Sequence, residues 1–205
     1  MAAEPDPPTT VRQPSEAVDA HVADSLSGLE VAALREAGRM ADIGAGAGFP
    51  GLVLAVALPR TAVDLVESAR RKCEVISRLA VAAAAHNARS VAARAEEWGA
   101  REGAGHYGAV TARALASLPV LVEYAAPLLA QGGTFVAWKG VRDQDEELAG
   151  REAACKLGLQ VVEVRRVQPF PAARDRHLHV FRKVAATPAG YPRRPGMARK
   201  RPLGA

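Results

Sequence analysis

No run of apolar residues in this 205-residue chain is long enough to span a bilayer, so no membrane partner is expected. The first residues, Met-Ala-Ala-Glu-Pro-Asp-Pro-Pro, lack the basic and apolar regions of a secretion signal. Cysteine is scarce: Cys73 and Cys155 are the whole supply, both in predicted helices and without metal-type spacing. These absences point to a reduced, cytoplasmic protein without a metal centre. A further absence is of negative charge near the end. Residues 191–205 carry Arg193, Arg194, Arg199, Lys200 and Arg201 and no acid, so residues 1–190 hold 22 basic and 22 acidic side chains and sum to zero. The whole net charge of +5 sits in that last segment. A localised basic segment suits a polyanion such as RNA, and it equally suits a solubilising tail.

What is present is a strand-and-helix rhythm. An apolar content of 49% suffices for one domain with a core. After a Pro-rich, flexible start over residues 1–14, a helix is predicted from Ser15 through Leu26 and a second piece over Glu30–Ala37. Apolar strands follow at Arg39–Ile43, Ala62–Val66, Ser90–Arg94, Tyr107–Ala112 and Gly133–Lys139. They alternate with helices over residues 50–58, Ala69–Asn87, Leu118–Ala130 and Arg142–Leu157. Gln160–Val167 and His177–Lys183 have no helix between them and read as a closing hairpin. The expectation is an α/β fold: a mainly parallel sheet with an antiparallel edge hairpin and helices on both faces. One domain is expected over residues 15–184, with a basic C-terminal tail over 185–205.

The most informative stretch is Ala41-Asp-Ile-Gly-Ala-Gly-Ala-Gly-Phe-Pro-Gly51. A strand ends, glycines alternate at Gly44, Gly46 and Gly48, and a helix opens at Phe49-Pro50-Gly51 with Pro50 in its first turn. Glycine lets the backbone turn sharply and lets a ligand approach the main chain. Strand, glycine turn and helix N-terminus together form a nucleotide-cofactor site. Gly46 to Gly51 matches G-x-G-x-x-G, so NAD is a competing reading. Four other residues favour S-adenosylmethionine. Glu67 ends the second strand, 25 residues after Asp42, where a carboxylate accepts from both ribose hydroxyls. Ala95 and Glu96 follow the third strand, where a backbone N–H and a carboxylate read an adenine edge. Asp42 precedes the glycines, where its charge repels a pyrophosphate and tolerates a sulfonium.

The methyl acceptor is narrowed by what is missing. The fourth strand ends in Thr111-Ala112-Arg113-Ala114-Leu115, without the Asp/Asn-Pro-Pro-Tyr motif common among exocyclic-amine methyltransferases. Neither cysteine is placed as a nucleophile for pyrimidine carbon. Ring nitrogens, hydroxyls and small molecules remain. A ring nitrogen such as guanine N7 already presents a lone pair and needs only in-line placement, which can supply roughly 7–11 kcal/mol.

The blocks His21-Val-Ala-Asp24-Ser25-Leu26, Asp42 to Gly51, Arg94-Ala95-Glu96-Glu97, Ala112-Arg113-Ala114, Trp138-Lys139-Gly140, Arg176-His177-Leu178 and Tyr191-Pro-Arg-Arg-Pro-Gly196 run in order along the chain. In that combination the sequence resembles the glucose-inhibited division protein B family, bacterial methyltransferases of small-subunit ribosomal RNA. The resemblance implies a class I methyltransferase fold and methyl transfer from S-adenosylmethionine to N7 of a 16S rRNA guanine, the one numbered 527. By position it places Gly44 and Phe49 at the methionine end of the cofactor, Glu67 at the ribose, Ala95 and Glu96 at the adenine, and Arg113 beside the cofactor, with Gly46 a further cofactor-binding residue. Arg113, Lys139, Arg176 and His177 are the candidates for positioning the RNA. Arg193, Arg194, Arg199, Lys200 and Arg201 are the candidates for holding its backbone. Removal of the segment after Ala189 is then expected to weaken RNA binding and spare the cofactor. Family members begin with further N-terminal helices, and this chain starts near Thr9-Thr10-Val11-Arg12 of their pattern. A monomer bound to 16S rRNA or the small ribosomal subunit is the default expectation. A small-molecule methyltransferase and a catalytically silent RNA-binding module of the same fold are the alternatives.

Overall fold

The structure, a computed structural model, describes residue 11 and residues 13–204. Most of the Pro-rich stretch expected over residues 1–14 therefore lies outside the described residues. A helical path opens the fold: α1 (Pro14–Ala17), a π-helical turn (Val18–Ala23), α2 (Asp24–Leu26) and a 3₁₀ turn (Ser27–Glu30), followed by α3 (Ala32–Glu36). Then come β1 (Arg39–Ile43), α4 (Gly51–Ala57), β2 (Ala62–Glu67), α5 (Arg70–Ala82), β3 (Ala88–Ala92), α6 (Ala95–Gly99) and β4 (Tyr107–Arg113). The chain ends with α7 (Leu118–Ala125), β5 (Leu129–Lys139), α8 (Gln144–Lys156), β6 (Leu159–Val167), β7 (Arg176–Lys183) and α9 (Met197–Lys200).

The seven strands form one sheet in the order β3-β2-β1-β4-β5-β7-β6. Only β7 runs against the rest, pairing antiparallel with both β5 and β6. Alternate strand residues feed two cores, as the two-residue period of a strand requires. Met40, Val63, Leu65, Ala109 and Val136 pack against α3, α4 and α5 on one face. Ala41, Ile43, Val66, Val110 and Phe135 pack against α7 and α8 on the other. The strand order reverses between β1 and β4, each of which pairs with the other in parallel. Ligands in open sheets bind beyond the carboxyl ends of the strands at such a switch point.

Several element boundaries differ from expectation, among them β3, which lies two residues earlier, and β5, which begins at Leu129; three have a clear local reason. The helix expected over Ala69–Asn87 stops at Ala82, because Ala84 takes a left-handed φ of 51°. Asn87 then caps α4 instead, its amide facing the carbonyls of Ala55, Leu58 and Thr61 at 2.8–3.1 Å. The helix expected over Leu118–Ala130 stops at Ala125. Pro127 has no N–H to continue it, and its ring would meet the carbonyl four residues back. Helix α4 begins at Gly51, so Pro50 precedes the helix and does not occupy its first turn.

The segment set apart as a tail is docked on the fold. Ala198 and Leu203 are 1% and 8% exposed and belong to the core on the α7 face. Arg193 pairs with Glu123, a carboxylate of α7 with 0% exposure, its Nε 2.7 Å from Oε1. The guanidinium also donates to the carbonyl of Arg201.

Candidate active site

The ends of β1 to β5 and the start of β7, on one edge of the sheet, contribute to a row of three adjoining cavities. The middle one, about 450 Å³, is lined by Gly44 to Ala47, Phe49, Glu67 and Arg113. Gly44, Gly46 and Gly48 have φ of 66°, 59° and 93°, a region a side chain disfavours, so the loop takes a turn that glycine permits. Glu67, 7% exposed, holds the loop in place. Its carboxylate accepts from the Gly46 N–H at 3.0 Å and from the Ala69 N–H at 2.9 Å. The Ser68 hydroxyl donates to it as well, at 3.4 Å; a carboxylate has about four acceptor positions, so one remains for a ribose hydroxyl.

Asp42 does something other than face a sulfonium. It is completely buried behind the loop, where Oδ2 accepts from the Gly51 N–H at 2.9 Å and Oδ1 from the Thr111 hydroxyl at 2.8 Å. It fastens the start of α4 to β1 and β4. Burial raises its pKa to about 6, against the hydrogen bonds from Thr111 and Gly51. A folded-state value above the ordinary 3.8 means the carboxyl's contribution is intact below about pH 4 and lost as pH rises through 6. The loss is about 3 kcal/mol. Asp42→Asn keeps an oxygen for Gly51 and removes the titration. The stability of the variant relative to the parent is expected to rise by about that amount between pH 4 and 7. Denaturant unfolding of both proteins across this range checks it, and a constant difference would contradict it.

The second cavity, about 230 Å³, adjoins the first at Gly44, Ser68 and Leu115 and is lined by Ala95 and Glu96. Glu96 is 5% exposed and accepts from the Gly196 N–H at 2.9 Å. It also raises the pKa of the Tyr124 hydroxyl, after burial the largest cause. Arg199 lines both cavities and donates to the Leu115 carbonyl at 2.8 Å. The C-terminal segment thus forms part of the cofactor-sized space, which the sequence reading had given to the strand ends alone.

The third cavity, about 360 Å³, shares His21, Arg113 and Ala114 with the first and is rimmed by Asp24, Lys139 and Arg176. Arg113, at the end of β4, organises it. Its Nη1 donates to Asp24 Oδ2 at 2.7 Å and to the Ala20 carbonyl at 3.0 Å. Its Nη2 lies 3.2 Å from His21 Nδ1. Guanidinium only donates, so that nitrogen is the acceptor and His21 carries its proton on Nε2. Burial, then the Arg113 charge, lowers the His21 pKa, which agrees with a neutral ring. The ring stacks on Phe49, centroids 4.6 Å apart and planes 12° from parallel. The π-helical turn at Val18–Ala23 presents His21 here, and such turns are frequent at functional sites. The Trp138 indole N–H anchors the same path by donating to the Asp24 carbonyl at 2.9 Å.

The other positioning candidates divide. Lys139 lines the cavity while its Nζ pairs with Glu146 at 2.7 Å. Arg176 Nε lies 3.4 Å from Asp24 Oδ1, 41% exposed at the mouth. His177, on the neighbouring position of β7, faces inward: it is 9% exposed and its Nδ1–H donates to the Gly140 carbonyl at 2.9 Å. Of the C-terminal cations, Arg193 and Arg199 are engaged within the protein as described, whereas Arg194, Lys200 and Arg201 are exposed. Among the described residues no cluster of His, Cys, Asp or Glu is placed to hold a metal ion, and no helix is long and apolar enough to cross a membrane.

The fold is found in known methyltransferases. The crystal structure of a predicted O-methyltransferase from Agrobacterium tumefaciens superposes with a TM-score of 0.61 at 22% identity, covering 82% of this chain and 81% of that one. The antibiotic-resistance methyltransferase Kmr superposes with a TM-score of 0.55 at 23% identity, covering 77% and 93%. Sequence relatives are closer. The ribosomal RNA small subunit methyltransferase G of Desulfitobacterium hafniense is 37% identical over 95% of this chain and 81% of its own length. That of Rubrobacter xylanophilus is 41% identical over 94% and 75%. The family model described as rRNA small subunit methyltransferase G (GidB) matches residues 9–178, and with the glycine-loop cavity at the switch point this chain belongs to that family.

Proposed function

We propose that this protein transfers a methyl group from S-adenosylmethionine to N7 of a guanine, guanine 527, in 16S ribosomal RNA. The observation that carries the reading is the row of three cavities: two suit an adenosyl cofactor, and the third opens from them with a cationic rim. Gly44 to Ala47 supply backbone that a ligand can approach, Glu67 has an acceptor position left for the ribose, and Ala95 and Glu96 line the adenine-sized end. When bound, S-adenosylmethionine supplies a methyl group activated by a sulfonium. The N7 lone pair needs no proton removed, so the protein's task is orientation. This agrees with His21 being held neutral as an acceptor for Arg113 and not poised as a base.

Arg113, Lys139 and Arg176 are placed to hold phosphates or O6 while leaving N7 open. The protein acts as one methyltransferase domain with the C-terminal segment packed against residues 15–184, in the cytoplasm, as a monomer on the small ribosomal subunit. Among the C-terminal cations, the exposed Arg194, Lys200 and Arg201 are the ones free to meet RNA phosphates. Changing all three to alanine is expected to flatten the dependence of RNA affinity on salt by roughly 0.7–0.9 per lost contact, in log–log slope. Cofactor affinity should stay unchanged. An unaltered salt slope would remove these residues from the RNA surface.

The function itself is tested with methyl-labelled S-adenosylmethionine and small subunits from cells lacking the modification. Label mapped to a single N7-methylguanine is the expected result. Intact cofactor binding with no label on the RNA would direct attention to another acceptor.

A further inference from the structure

At the third cavity lies a buried acceptor that receives no hydrogen bond from the described residues. Asp24 has a side chain only 7% exposed. Its Oδ2 is satisfied by Arg113, but its Oδ1 accepts no hydrogen bond, and Arg176 Nε approaches no nearer than 3.4 Å. Leaving a buried acceptor unmet costs about 1–3 kcal/mol, and more for a charged group. Such an atom calls for a specific explanation. Asp24 lines a cavity of about 360 Å³ together with His21, Arg113 and Ala114, which are shared with the cofactor cavity. The fold holds the carboxylate there firmly, through Arg113 on β4 and through the Trp138 indole bound to the Asp24 carbonyl.

We propose that Asp24 is the residue that reads the acceptor base as guanine, its Oδ1, which has the Arg176 ion pair but no hydrogen bond, accepting together with Oδ2 from N1–H and from the exocyclic N2 amine. This rests on the reading of the protein as a guanine-N7 methyltransferase and names the determinant of that choice. Guanine is the base that presents two adjacent donors on its Watson–Crick edge, and a carboxylate offers two acceptors and no donor. Adenine presents an acceptor at N1, which a carboxylate repels. Cytosine offers a single amino donor beside an acceptor. A purine held by N1 and N2 leaves N7, on the opposite side of the ring system, uncontacted by Asp24. The cationic rim of Lys139 and Arg176 is left for O6 or phosphate.

The test compares small subunits reconstituted with 16S RNA that carries either guanine or inosine at the acceptor position. Inosine retains N7, O6 and N1–H and lacks only the N2 amine. The unaltered protein is expected to methylate guanine about 10- to 100-fold more efficiently than inosine in kcat/KM, the worth of one donor to a buried charge. In Asp24→Asn the rate on guanine falls and the guanine-to-inosine ratio collapses to within about twofold. Cofactor affinity, measured by calorimetry, stays close to the parent's and reports that the fold is intact. A structural role for Asp24 would lower both rates together and leave the ratio standing. Equal rates on guanine and inosine subunits with the unaltered protein would overturn the proposal without any variant. An unchanged ratio in Asp24→Asn would overturn it as well. Failure of the unaltered protein to label even guanine subunits would instead sink the function on which it rests.

Discussion

A chain ending at Ala189 is expected to be severely destabilised and to bind S-adenosylmethionine poorly. The cut removes Arg193 and leaves the Glu123 carboxylate, 0% exposed, without its guanidinium. Breaking a buried pair from one side costs about 3–5 kcal/mol. It also removes the buried Leu203 and Ala198 from the core on the α7 face, and burial of a leucine side chain is worth roughly 1.5–3 kcal/mol. Together these approach the whole stability of a typical domain, about 5–15 kcal/mol. The cofactor cavities lose Arg199, and Glu96 loses the Gly196 N–H. Denaturant unfolding and calorimetric titration with the cofactor measure both effects. A truncated chain that unfolds at the parent's midpoint would show that the docked segment contributes nothing. Arg193→Met alone should account for much of the loss. The pair Arg193→Met with Glu123→Leu should recover most of it, since no charge is then stranded.

Gly51→Ala is expected to be the most damaging single methyl group in the glycine block. A Cβ there would stand 2.5 Å from both Asp42 Cβ and Leu65 Cδ2, with Asp42 Oδ2 at 2.8 Å. Asp42 and Leu65 are both completely buried, so neither can move aside. Overpacking of this kind costs about 1–3 kcal/mol. Displacing the Gly51 N–H from Asp42 strands a buried carboxylate oxygen at further cost. The combined loss should be roughly 3 kcal/mol or more, and cofactor affinity should fall because the start of α4 shifts. Gly38→Ala is the matched control: a Cβ there has nothing within 4 Å, and its stability should stay within about 0.5 kcal/mol of the parent. Equal unfolding midpoints for the two variants would show that the helix start is not packed as described.

The sheet was legible in the sequence because its strands are short apolar runs bounded by turns, and the two strands without an intervening helix gave the reversed β7. The cavity-lining positions of Gly44, Glu67, Ala95 and Arg113 follow from the same logic, since residues just past parallel strands share one edge. What was not legible depends on contacts distant in sequence. Nothing near Asp42 in the chain indicates that Thr111 and the Gly51 N–H would claim its carboxylate, so charge alone was a poor guide to its direction. Composition made residues 191–205 a tail, because five cations without an acid look solvated. Their partner Glu123 lies 70 residues before Arg193, inside a helix that otherwise reads as wholly apolar. A lone acid in the run Leu118-Pro-Val-Leu-Val-Glu-Tyr-Ala was the available signal for a buried cation elsewhere. Pro127 was likewise a sufficient sign that the helix would stop early.

His21 and Arg199 face the same cavity although nearly the whole chain separates them. Bringing such remote pieces together costs loop-closure entropy before any contact is made, so structures of this kind assemble late in folding. Partly folded chains therefore have local helices and paired strands but no place for the cofactor. Binding of that small molecule reports completed folding. By mass action a concentration 100 times its Kd adds about 2.7 kcal/mol to the native state alone. The bound methyl donor thus adds to the stability of the protein that consumes it.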